Sequence, residues 1–209
     1  DGKRFPRSVI YFKTAEGEGK LHPTQKPLAL MEYFIKTYTF QSNDELKVAV
    51  KLLKEDKEKC IKKYGHISDW DTSKITNMAI LFKYMNDFNE DISRWDVSNV
   101  TNMKSMFKKA TTFNQLLESW NVSKVTNMKY MFSYTESFNK PLNDWNVSNV
   151  VDMEGMFSGA ESFDQDISSW DVSNVANMEE MFTGATNFNQ PLNDWDVSKV
   201  ANMEKSYYK

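Results

Sequence analysis

The chain is poor in the residues that punctuate or react. One cysteine, Cys60, in 209 residues leaves no partner for an internal disulfide. That suits a reducing compartment, or an exported protein held together by stacking alone. The histidines are His22 and His66. Neither has a Cys or Asp set at nucleophile spacing, so no catalytic triad is legible. Glycine is scarce, at 7 residues, and no phosphate-cradling glycine loop or zinc-type cysteine pair occurs. No apolar run reaches transmembrane length. No signal peptide opens the chain at Asp1, and because that first residue is not Met, the missing leader carries no weight. The formal net charge is only -3, but residues 66–209 hold 12 basic and 20 acidic side chains. That stretch should repel a phosphate backbone, which argues against nucleic acid as its partner.

What the chain does have is period. Trp70, Trp95, Trp120, Trp145, Trp170 and Trp195 recur every 25 residues and are all six tryptophans present. Methionines keep the same step at Met78, Met103, Met128, Met153, Met178 and Met203. So do phenylalanines at Phe82 to Phe182, with Tyr207 in the last unit, and at Phe88 to Phe188. A fixed period of this length means stacked repeats, each unable to bury its apolar face alone. These combs are expected to be core, with an exposed aromatic binding strip as the alternative. A methionine metal site is disfavoured because no Cys or His accompanies the sulfurs.

Each unit splits into two spacings. Trp95 and Val97 alternate as in a short strand. Met103, Met106, Phe107 and Ala110 follow i, i+3, i+4, i+7, the face of a helix. Gly159 and Gly184 fall where such a helix would end. Pro141 and Pro191 mark loop. The expected coil is strand, turn, short helix, loop, with the strands stacked into one parallel sheet.

Upstream, Ser8–Lys13 reads as a strand, Ala15–Lys20 as a turn, and Pro27 opens a helix to about Tyr38. Residues 42–64 read as a second helix. Ser42 and Glu45 spell a capping box, Gly65 is a stop, and Leu46, Ala49, Val50, Leu53, Cys60, Ile61 and Tyr64 form a stripe interrupted by Lys57. That stripe should cover the first repeat. The Asn or Asp before each methionine is expected to satisfy backbone groups at a coil corner. Asp96, Asn121, Asn146, Asp171 and Ser98, Ser123, Ser148, Ser173 follow the tryptophans. They either cap turns or contact a ligand, and as outward neighbours of the expected strands they are the candidate binding residues, with the sheet face as the contact surface. The acidic groups are spread one per coil and form no calcium loop.

The unit "FNQDISSWDVSNVANMEEMFTGA" resembles the bacterial surface-protein repeat of about 25 residues, a leucine-rich-repeat-like family of lipoproteins and adhesin-like proteins. The likeness spans 66–209 in six registered units, with Ser206 departing from the methionine pattern. It implies an α/β fold, a leucine-rich-repeat-like solenoid of 25-residue strand–helix coils with an N-terminal capping helix at 41–65. It also implies a non-enzymatic scaffold on the cell surface that makes protein–protein or adhesion contacts.

Residues 4–39, "RFPRSVIYF" and "HPTQKPLALMEYFIKTYT", resemble the tail of a DNA adenine-N6 or cytosine-N4 methyltransferase, a cytoplasmic enzyme. There His22, Pro23, Thr24, Gln25, Lys26 and Pro27 would open a helix beside the S-adenosylmethionine pocket. The F-x-G-x-G cofactor loop and the D-P-P-Y-type motif are missing, so residues 1–40 read as an inactive remnant joined to the repeats by recombination or a frame change. A methyltransferase fragment is the alternative function. No cofactor is expected.

Overall fold

The computed structural model describes residues 37–206, all within one compact unit, Lys36–Lys209. The expected strand at Ser8–Lys13, the turn at Ala15–Lys20, most of the helix from Pro27, the His22–Pro27 stretch and Tyr207 lie outside the described residues.

Two α-helices form before the repeats, α1 (Asn43–Glu55) and α2 (Lys57–Tyr64), followed by a single 3-10 turn at Ile67–Asp69. The Ser42 hydroxyl accepts from the Glu45 amide at 3.2 Å. The Glu45 carboxylate does not return to Ser42. It accepts from the Gln41 amide at 2.7 Å and from the Tyr38 hydroxyl. The Tyr38 bond, then the Gln41 amide, hold the Glu45 carboxyl below its ordinary value. The same bond, with burial, pushes the Tyr38 phenol up to about 12.

The single expected helix is broken at Asp56. That residue ends α1 through its amide to the Leu52 carbonyl and starts α2 by accepting from the Lys59 amide at 2.9 Å. The break lets α2 fold back on α1, with the Cys60 thiol 3.4 Å from the Ala49 carbonyl. Leu46, Ala49, Val50, Leu53, Cys60 and Tyr64 are buried, while Ile61 is left 39% exposed by the change of phase.

The strand–helix solenoid is not what the repeats form. Among the described residues there is no strand, and neither α-helix lies in the repeats. Each unit is a succession of turns. In the second unit, amides of Met106, Lys108, Ala110 and Phe113 donate to carbonyls three residues back. Between them, amides of Met103, Ser105, Phe107 and Lys109 donate outward at 2.8–2.9 Å to Asn127, Lys129, Met131 and Ser133 of the next unit. An α-helix would consume these amides internally. Here alternate amides bind one unit to the next, and the burial pattern i, i+3, i+4, i+7 survives without a helix.

Adjacent units pair in parallel through one bridge each. The bridges run along the Asn column, Asn77–Asn102–Asn127–Asp152–Asn177–Asn202, and not along Trp-x-Val. Such pairing sets the step between units at about 4.8 Å.

The alternation demands left-handed backbone twice per unit. Ile80 (φ 60°), Ser105 (56°), Tyr130 (56°) and Glu180 (55°) hold one position, and Tyr84 (61°), Lys109 (62°) and Tyr134 (55°) the other. Glycine takes these places at Gly155, Gly159 and Gly184. A β-branched residue is the poorest occupant. Ile80 is also 55% exposed, so its side chain adds little burial. Ile80→Gly is therefore expected to raise unfolding free energy by about 1 kcal/mol, measured as a higher urea midpoint at unchanged slope. A lower midpoint would show that the strain is absent.

The interior is built of like on like. Phe82, Phe107, Phe132, Phe157 and Phe182 stack at 5.5–5.8 Å, and Phe88, Phe113, Phe138, Phe163 and Phe188 at 5.7–6.1 Å. Each tryptophan from Trp95 to Trp195 donates its indole N–H to a carbonyl of the preceding unit, at Ile67, Ile92, Leu117, Leu142 and Ile167 in turn. The tryptophan comb is core, with Trp195 alone half-buried. Ser206, where units two to five have methionine, is buried with its hydroxyl donating to the Met178 carbonyl at 2.7 Å.

The helices close the free edge of the first unit. Amides of Thr101, Thr126 and Val151 each donate to the carbonyl one unit earlier. Thr76 has no earlier unit, and the Asn43 side-chain oxygen accepts from its amide at 3.0 Å and from Asn77 at 3.1 Å. Tyr38 and Phe40 pair with Asp71 across the same edge, and Phe40 packs edge-on to Trp70 at 4.9 Å.

Candidate interaction face

The residues after each tryptophan occupy an exposed row, one turn per unit. The side-chain oxygens of Asp96, Asn121, Asn146 and Asp171 accept from the amides of Ser98, Ser123, Ser148 and Ser173 at 2.9–3.2 Å. The acceptors are exposed and the serines half-buried. The Ser173 hydroxyl and amide keep the Asp171 carboxyl below its ordinary value. These are turn-forming bonds of the kind Asn and Asp supply. The structure thus sets the eight residues in one line, each Asp or Asn engaged with its own turn, and on no sheet face.

The column before methionine behaves likewise. The side chains of Asn77, Asn102, Asn127, Asp152, Asn177 and Asn202 accept from the amide two residues on at 2.9–3.1 Å. A further column went unassigned in the sequence. Oxygens of Asn89, Asn114, Asn139 and Asp164 accept from the amide 25 residues later at 2.9–3.1 Å. Its signal was the Asn or Asp after each second phenylalanine.

A different surface carries chemistry that these columns lack. Between the methionines, the turn segments 79–84, 104–109 and 129–134 present Ile80, Tyr84, Tyr130 and Tyr134 among Lys83, Lys104, Lys108, Lys109 and Lys129. Among the described residues Tyr84 (52%) and Tyr134 (46%) are the exposed aromatics. Lys109 lies between them, 5.7 and 5.6 Å from their ring centroids. Lys83 sits 4.8 Å from Tyr84, and Lys108 4.0 Å from Tyr130. Each such contact contributes on the order of 0.5–1 kcal/mol at an exposed site. Burial, then the charges of Lys83 and Lys109, hold the Lys108 ammonium below its ordinary pKa. No described carboxylate lies within ion-pair distance of Lys83, Lys104, Lys108 or Lys109.

Beyond the ridge the same face changes character. Glu154 pairs with Lys129 and accepts from the Tyr130 hydroxyl. Burial alone would raise the Glu154 carboxyl, but these bonds and one from Asn177 outweigh it and its pKa lies below the ordinary value. The Tyr130 phenol is pushed upward by the same bond. The rings of Tyr130 and Tyr134 lie over Gly155 and Gly159 of the next unit, where a Cβ would come within 2.2 and 2.6 Å of them. Further along stand Glu179, Glu180 and Glu204.

The aligned combs hid this face. Its residues occupy the columns that change from unit to unit, and their only regularity is a switch from Lys to Glu. At the far end, a cavity of about 290 Å³ opens beside Met178, Phe182, Leu192, Trp195 and Met203. Among the described residues no group of three or more His, Cys, Asp or Glu comes together as a metal set. None of the described helices is long and apolar enough to cross a membrane.

The family described as Mycoplasma protein of unknown function, DUF285, matches residues 52–158 and again 117–209. The chain belongs to the DUF285 family. The match starts inside α1, takes in every 25-residue unit, and includes no residue of the methyltransferase-like stretch. The two matched segments overlap over 117–158, as expected where one array fits a repeat family in two registers. No curated protein and no solved structure matches this DUF285 chain.

Proposed function

We propose that this DUF285 protein is a non-enzymatic binding scaffold that makes protein–protein or adhesion contacts at a surface, and that the lysine–tyrosine ridge is its contact surface. The observation that carries this reading is the exposure of Ile80, Tyr84 and Tyr134, where the other aromatics among the described residues are buried or half-buried. Tyrosine is enriched where protein surfaces meet, because one side chain offers both apolar area and a polar tip. The stacked interior fixes the backbone, so the ridge is presented by rigid turns and loses little entropy on contact. The exposed Asp/Asn–Ser row holds turns together and in this reading is part of the scaffold.

The test is retention of beads coated with the full chain on three surfaces: immobilised extracellular proteins, intact cells and the same chain. The doubly substituted Tyr84→Ala/Tyr134→Ala protein is expected to lose retention on the order of tenfold, the effect of truncating interface aromatics, while still melting in one cooperative transition. Equal retention of both proteins, or no retention on any surface, would defeat the reading.

A further inference from the structure

We propose that the ridge face is self-complementary and that two copies of the chain associate through it, antiparallel, about a two-fold axis between the Lys129 and Glu154 units. This rests on the reading of that face as the contact surface and names its partner.

The residue after each first methionine runs Ala79, Lys104, Lys129, Glu154, Glu179, Glu204. The sign of charge changes once, at the midpoint of six units. A two-fold axis lying across the face turns the second copy end for end and keeps each column opposite itself. Lys129 then meets the second copy's Glu154, and Lys104 meets its Glu179. The neighbouring columns follow the same rule. Ser105 comes opposite Glu180, and Lys109 opposite Gly184, which has no Cβ and no side chain over it. Lys108 comes opposite Thr183. Of the lysines with no described carboxylate in ion-pair distance, Lys104 thus faces Glu179, with Glu180 beside it, while Lys108 and Lys109 lie in the columns next to that pair.

The orientation is set by repulsion as much as by attraction. Parallel alignment would set the lysine-rich unit of one copy over the lysine-rich unit of the other and the Glu179–Glu180 unit over its equivalent, and like charges held together across an interface disfavour it strongly. A two-fold arrangement is also the commonest closed symmetry, since one patch serves both partners. Register is automatic, because both copies carry the same step of about 4.8 Å between units. The face is roughly 25 Å long, five such steps. That is a small interface, so the dimer is expected to be weak and salt-sensitive.

Sedimentation equilibrium of the full chain at low and high salt tests this. The wild type is expected to dimerise at low salt and dissociate on the order of tenfold more readily at 0.5 M salt, where charges are screened within a few ångströms. Two variants reverse one half each: Lys104→Glu/Lys108→Glu and Glu179→Lys/Glu180→Lys. Each alone is expected to be monomeric and to unfold in one cooperative urea transition; in the second, Asn202 and Lys205 lose Glu179 and Glu180 as partners, which lowers its midpoint slightly. An equimolar mixture of the two is expected to recover dimer, because each reversed half then meets an opposite one. A wild type that stays monomeric at several hundred micromolar in low salt overturns the proposal, and so does a mixture that does not associate. A monomeric wild type whose beads are still held by the other surfaces overturns self-association alone and leaves the scaffold reading standing.

Discussion

Trp145→Ala is expected to lower the unfolding free energy by about 3–5 kcal/mol, the cost of truncating a large aromatic in a packed core. Three losses combine. The indole is only 3% exposed, so the substitution opens a cavity rather than a dent. Its ring stacks on Trp170 at 6.5 Å and 3°. Its N–H donates to the Leu117 carbonyl at 2.9 Å, which retains the Trp120 amide as a partner. Because each unit contacts only its neighbours, the damage falls on two interfaces in the middle of the stack. Urea unfolding followed by the other tryptophans measures it. A midpoint that hardly moves would mean the comb does not hold the units together. The same substitution at Trp195, which is half-buried, is expected to cost less, and the difference between the two reports position in the stack.

Gly155→Ala is expected to cost about 2–4 kcal/mol, the sum of overpacking and left-handed strain. The backbone term is the smaller one. Ser105, Tyr130 and Glu180 hold the equivalent position with φ of 55–56°, so a side chain there is tolerated. What Gly155 cannot accept is the Tyr130 ring, whose Cε1 lies 2.2 Å from an added Cβ. Moving that ring breaks its bond to Glu154 and its contact with Lys108. In the pair Tyr130→Ala and Gly155→Ala, the double substitution should therefore cost at least about 1 kcal/mol less than the sum of the singles, a coupling typical of touching residues. Simple additivity would show that the ring does not occupy that space.

The interior of this protein was legible in its sequence, because burial obeys the 25-residue period whatever the backbone does between buried positions. The secondary structure was not. Met103, Met106, Phe107 and Ala110 have the spacing of a helical face, and three-residue turns produce the same spacing. Only the destination of the alternate amides separates the two, and that is a property of neighbouring units rather than of local sequence. Glycine at 155, 159 and 184 hinted at left-handed turns, but in a helical reading two of these marked the helix end. The break at Asp56 was similarly marked, since Lys57 interrupts an apolar stripe that a single helix would keep whole.

The candidate face was hidden for a different reason. Repeat alignment rewards columns that stay constant, and constant columns are the buried ones. Asp96 and its equivalents were prominent because they recur, and they recur because every unit needs the same turn. Tyr84, Lys108 and Glu179 belong to columns that change, which is where one unit can differ from the next without disturbing the stack.

The parallel bridges also make the array a counter. Every unit offers its neighbour the same backbone donors on one edge and the same acceptors on the other, so a gene can gain or lose 75 nucleotides and keep the backbone ladder between units in phase. An insertion that is not a whole number of units throws the tryptophans out of phase and is disfavoured by the core. Each whole unit added beyond the acidic end would shift the midpoint of the stack away from the boundary between lysine and glutamate. Two chains then match along their full length only when they carry equal numbers of units on either side of that boundary, so drift in repeat number would change which chains recognise each other while leaving the fold untouched.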